Sequence, residues 1–176
     1  MSNVLIGIIG VILFIGLALA GALFLGPRFQ NATSFSKAAA VNSALADVVR
    51  AENLYELSAG RPGPNGPTGA QILADEGYLK ALPPNPLTRT IANSQPIPLP
   101  VNGQAGLGLK PDVVIMYLGT EAKDVCAEIE KQAGSLDRLA VIDVPFGFTD
   151  GTSRRKVGCH YNNGSLGTGY MAYAPL

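Results

Sequence analysis

VLIGIIGVILFIGLALAGALFL, residues 4–25, runs for 22 residues without a charged or strongly polar side chain. As an α-helix rising about 1.5 Å per residue it reaches roughly 33 Å, enough to cross the roughly 30 Å hydrocarbon core of a bilayer. Fifteen of the 22 residues are Val, Leu, Ile or Phe, each favouring insertion by roughly 0.3–0.6 kcal/mol at mid-membrane. The run therefore predicts a transmembrane helix, with Val4, Leu5, Ile8, Ile9, Ile12, Phe14, Leu17, Leu19, Leu23 and Phe24 as its large apolar side chains. A cleaved signal peptide is the rival reading, since Ala18, Leu19 and Ala20 match an A-x-A cleavage pattern. Against it, no Lys or Arg precedes the run, and the apolar stretch outlasts an ordinary signal core. Gly7, Gly10, Gly16 and Gly21 punctuate the run, either as ordinary membrane-helix glycines or as a face for close helix packing.

Working outward, Gly26 and Pro27 follow the run and predict a kink or a local melt of the helix. Residues 34–58 then read as an amphipathic helix. Ala38, Val41, Leu45, Val48 and Tyr55 form one stripe at helical spacing, whereas Lys37, Asn42, Asp47 and Glu56 lie elsewhere. Gly60 and the segment RPGPNGPTG end it. The N-terminal third thus reads as one long helix, apolar all round in its first half and on one side in its second.

The remaining chain has the length of one domain of ordinary size. Residues 70–82 predict a short helix stopped near Gly77, and the chain up to Pro111 is rich in Gly and Pro with weak strand signals. Beyond it, strands are predicted at 113–118, 139–144, 157–161 and 170–174. A helix is predicted at 121–133, and the turn NNGSLGTG joins the last two strands. The expected fold class is α+β, an antiparallel sheet packed on the amphipathic helix. The expected divisions are an apolar helix over 1–26, its amphipathic half over 27–58, and a globular head over 59–176.

Composition narrows the function. Thirteen basic and thirteen acidic residues give a formal net charge of zero, and charged residues make up only 15%. With no basic stripe interleaved with aromatics, a specific nucleic-acid ligand is not expected. The two cysteines, Cys126 and Cys159, are too far apart for a CxxC redox or zinc pair. A disulfide is the default for an anchored domain displayed in an oxidising compartment, with two free buried thiols as the alternative. Orientation signals conflict, because Arg28 and Lys37 after the run weakly favour a cytoplasmic head.

Chemistry-bearing clusters are missing. His160, the one histidine, is next to Cys159, and neighbours on a strand point to opposite faces, so the two cannot act together as nucleophile and base or bind one metal. Arg154, Arg155 and Lys156 form a compact positive tip, either a solvated hairpin loop or a contact patch for a partner. Asp124, Glu128 and Glu130 share a helix without converging on a cation site. Asn31-Ala32-Thr33 and Asn163-Gly164-Ser165 match the glycan acceptor pattern. No phosphate loop, dinucleotide fingerprint or hydrolase elbow occurs. Neither catalysis, nor a metal, nor a cofactor is expected.

Four features together resemble the type IV pilins, and the resemblance spans nearly the whole chain. The apolar run followed by GPRFQ is similar to the family's N-terminal helix, and SKAAAVNSALADVVRAENLYELSAGRPG to the second half of that helix and its exit into the head. LADEGYLKALPPNP looks like the segment that follows in pilins and type II secretion pseudopilins, and Cys126 and Cys159 resemble the disulfide-bounded region of the type IVb branch. The resemblance implies a filament subunit and not an enzyme. Val4 to Phe24, as named above, would line the filament core. Partners would be other copies of the chain, the bacterial inner membrane before assembly, and the pilus assembly machinery. The head would be periplasmic and then extracellular. The alternatives are a pseudopilin or minor pilin, or a single-pass anchored periplasmic binding domain. The sequence departs from the family at the fifth position of the processed chain, where Leu5 stands in place of the usual glutamate if Met1 is the first residue.

Overall fold

A computed structural model of the chain describes residues 2–87, 95–99, 112–134, 157–164 and 167–176, with the side chains of 2–6, 24–28, 162–164 and 167 outside the description. The expected strand at 139–144 lies outside the described residues. The elements are α1 (Ser2–Ala59), α2 (Gly69–Asp75), β1 (Ile97–Leu99), β2 (Val113–Gly119), α3 (Lys123–Gln132), β3 (Gly158–Gly164) and β4 (Gly167–Pro175). The four strands form one antiparallel sheet in the order β1-β2-β4-β3. The fold class is therefore α+β, with a long N-terminal helix and one disulfide.

Two compact units divide the chain, Met1–Ser34 and Phe35–Leu176, so the amphipathic half of α1 groups with the head. In the first unit, α1 is helical through Gly26 and Pro27. The local melt expected there is absent, because a proline removes one intrahelical donor and bends a helix without obliging it to unwind.

In the second unit, α1 supplies the stripe around which the head is packed. Ala38, Val41, Leu45 and Val48 are fully buried, with Ala44, Ala51 and Tyr55 close to it. They enter one core with Ala70 and Leu73 of α2, Val114, Met116 and Leu118 of β2, Val125, Cys126 and Ile129 of α3, and Cys159, Tyr170, Ala172 and Ala174 of the β3/β4 pair. Three alanines in the stripe let the helix lie close to its neighbours, as dense interior packing requires. Gly60 ends α1 in the left-handed conformation (φ +63°), and its N–H returns to the Glu56 carbonyl at 3.0 Å.

Alternation along the strands sends the other side chains to the far face. Leu99, Val113, Ile115 and Met171 are buried there, with Ile97, Tyr117 and Tyr173 against them. Two expectations change. β1, IPL, lies in the stretch read as turn-rich; three residues carry too little periodicity to stand out, and Pro98 fits because a sheet edge leaves one side of the strand without a ladder. The β3/β4 pairing also runs into the segment read as an eight-residue turn, reaching Gly164↔Gly167. Side-chain chemistry marks turn-prone residues, but cross-strand bonds set where a ladder ends. Asn85, buried in the Pro-rich segment, donates from Nδ2 to the Tyr117 carbonyl at 2.6 Å and accepts from Leu87 N at 3.0 Å. It ties that segment to β2 where the register shifts between Tyr117 and Gly119.

Leu45→Ala is expected to cost the head about 2–4 kcal/mol, because it empties a fully buried position in the stripe. Leu54→Ala, at a position 48% exposed, should cost less than about 1 kcal/mol. Chemical denaturation of both variants beside the parent checks the ordering.

Candidate functional site

The described side chains of residues 7–23 present an apolar surface. Among the named residues Ile8, Ile9, Ile12, Phe14, Leu17, Leu19 and Leu23 are 49–78% exposed, and Val11, Leu13 and Ile15 join them. Covering these ten side chains would be worth on the order of 10–20 kcal/mol. Exposed apolar area on that scale belongs against lipid or protein and not water. Val4, Leu5, Phe24, Gly26 and Pro27 lie within α1, with their side chains outside the described residues. Among the described residues no helix is long and apolar enough to cross a membrane. The described side chains of the run, residues 7–23, cover about 25 Å, short of a roughly 30 Å hydrocarbon core.

In the head, Cys126 of α3 and Cys159 of β3 form a disulfide with Cα atoms 5.3 Å apart, and no described cysteine is free. The bond joins a helix to the strand it packs on and closes a separation of 33 residues. Glu130, one turn beyond Cys126 and 5% exposed, accepts a hydrogen bond from the Cys159 backbone N–H. α3 is therefore fixed to β3 by a covalent bond and a charge-capable acceptor side by side. Burial pushes the Glu130 carboxyl up, and the Cys159 amide partly offsets it. Asn42 Nδ2 of α1 donates to Gln132 Oε1 of α3 at 2.9 Å, fixing the same helix from its other side.

His160 and Cys159 point to opposite faces, as alternation requires. Cys159 enters the core under α1, while His160 packs on Tyr173 with ring centroids 5.6 Å apart. Burial lowers the imidazole pKa to about 4. Arg154, Arg155 and Lys156 lie outside the described residues. Among the described residues no group of three or more His, Cys, Asp or Glu could hold a metal ion.

One residue was not singled out from the sequence. Glu52 lies between Val48 and Tyr55 on the stripe and is 3% exposed, and neither carboxyl oxygen has a hydrogen-bond partner among the described residues. Burial first and the Glu56 charge second raise its pKa to about 7. The signal was in the spacing. Positions 41, 45, 48, 52 and 55 repeat at four and three, so an acid at 52 falls on the buried seam.

No match to the chain is found among protein-family profiles, curated proteins or solved structures.

Reducing the disulfide is expected to destabilise the head by about 2–4 kcal/mol, seen as a lower denaturation midpoint in reductant. The buried titrating groups make a second test. Glu52, raised to about 7 from 4.5, contributes stability that is present below pH 4.5 and lost as pH rises towards 7. His160, lowered to about 4 from 6.5, contributes stability that is present above pH 6.5 and lost as pH falls towards 4. Between pH 4.5 and 6.5 the two slopes oppose, each about 1 kcal/mol per pH unit. Denaturation of Glu52→Gln across that window should show stability rising with pH relative to the parent, and His160→Gln should show it falling. Glu130, raised in the folded state, tilts the same way as Glu52.

Proposed function

We propose that the chain is the structural subunit of a type IV pilus-like surface filament, polymerising through the apolar half of α1. The observation that carries this reading is the ring of exposed apolar side chains from Ile8 to Leu23, on the same helix whose second half is the core of the head. A helix that is apolar all round is at home in lipid or among copies of itself. A subunit that leaves the bilayer for a fibre needs both environments in turn. The 22-residue run in the sequence is long enough for the first, and its glycines suit the second, since each permits close helix approach. The family resemblance of the segments after the helix, and a disulfide between Cys126 and Cys159 of the type IVb pattern, support the same reading. On it, the chain sits in the bacterial inner membrane before assembly and in an extracellular filament afterwards, with other copies and the assembly machinery as partners. A pseudopilin or minor pilin is the nearest alternative within the reading.

The test is negative-stain microscopy of material sheared from cells, with the protein's N-terminus read by mass spectrometry. Fibres containing the chain are expected, and Leu17→Lys should abolish them while the Cys126–Cys159 disulfide still forms. Absence of the chain from every sheared fibre, together with a formylated Met1, would sink the major-subunit reading and leave an anchored domain.

A further inference from the structure

The acid in the buried stripe faces an unusual neighbour. Gly63 lies in the segment that leaves α1 for α2, and a Cβ at that position would overlap Glu52 Oε2 and stand 2.6 Å from its Cδ. The glycine is thus the space into which the carboxyl fits. Pro62 and Pro64 flank it, so the backbone nitrogens on either side of Gly63 in the chain carry no hydrogen to donate. The segment is fastened at both ends. Gly60 N–H donates to the Glu56 carbonyl at 3.0 Å, and Gly66 N–H donates to the Pro98 carbonyl of β1 at 2.8 Å. Between them the Arg61 guanidinium lies 5.4 Å above the Tyr55 ring.

Among the described residues, the charges around Glu52 do not favour its ionised form. On α1 the neighbour is Glu56, of the same sign. On the segment the one basic group is Arg61, engaged with the face of Tyr55. The core side chains from α2, β2 and β4 are apolar or, for Tyr170, phenolic, and Glu130 of α3 accepts from the Cys159 amide. A carboxyl in such a place is stable as the neutral acid, while an unpaired carboxylate there must regain water or open its surroundings.

We propose that Glu52 and Gly63 form a proton-controlled latch: the neutral carboxyl keeps the 60–66 segment seated against α1, and ionisation lifts it, loosening the link from the end of α1 to β1. The only covalent change is loss of one proton from the Glu52 carboxyl to solvent. The latch is a property of the head and does not rest on the filament reading.

Amide hydrogen exchange on the whole chain tests it, with protection factors corrected for the intrinsic pH dependence of exchange. From pH 5.5 to 8.5, protection at Gly60 and Gly66, whose amides bond to the Glu56 and Pro98 carbonyls, should fall at least tenfold relative to the Cys126 amide, which bonds to the Ala122 carbonyl inside the head. In Glu52→Gln, which carries no ionisable group, the same amides should change less than twofold. Flat protection in the parent, or an equal fall in the variant, would overturn the latch. Should the variant not fold, carbon-13 titration of the parent's Glu52 carboxyl decides. A midpoint coinciding with the loss of protection supports the latch, and one more than a pH unit away refutes it.

Discussion

The head is held by the packing of one helical stripe, residues 38–55 of α1, against a four-stranded sheet and two short helices. α2, β2, α3 and the β3/β4 pair each contribute side chains to that contact. β2 and β4 alternate so that Val114, Met116, Ala172 and Ala174 meet it, and α3 turns Val125, Cys126 and Ile129 inward. The core is built largely of Ala, Val, Leu and Ile, whose burial stabilises without demanding polar partners. The disulfide and the Glu130–Cys159 bond add to the packing of α3, a ten-residue helix too short to be stable in isolation.

The first half of the same helix obeys the opposite rule. Among the described residues its large side chains stay mostly exposed, and exposed apolar area of this extent marks a surface for lipid or protein contact. Under the filament reading this contrast is functional: the buried stripe makes each subunit a unit, and the bare segment makes it a member of an assembly. Glu52 sits within the first of these contacts. Placing an acid without a hydrogen-bond partner among the described residues in an otherwise apolar seam lowers stability as the carboxyl ionises. Its fit to Gly63 gives that cost a definite location, the exit of the chain from α1.

How far this was legible depended on the range of the signal. The helix end at Gly60, the stripe from Ala38 to Tyr55, α2, α3 and the strands at Val113 and Gly158 were all readable, because periodicity and turn chemistry act over a few residues. β1 was not, since its only reason to be a strand is β2 beside it, through the pairing of Ile97 with Ile115. The true length of the β3/β4 ladder was hidden for the same reason, in glycines and asparagines that look like a turn until Tyr117 donates to the Thr168 carbonyl at 2.6 Å and covers Gly169. In the candidate site, the opposite facing of Cys159 and His160 followed from alternation alone, whereas Glu130 was read only as one of three acids on its helix that do not converge on a cation site, and Glu52 was passed over.

By itself the sequence determined the two characters of α1 and the α+β class, because hydrophobic period and breaker residues are local properties of the chain. Only the tertiary structure decided that Cys126 and Cys159 meet, that Glu130 accepts the Cys159 amide, and that Glu52 lies buried against Gly63. Those are contacts between residues distant in the chain or on different elements, and their energies depend on burial and distance, which no local pattern encodes.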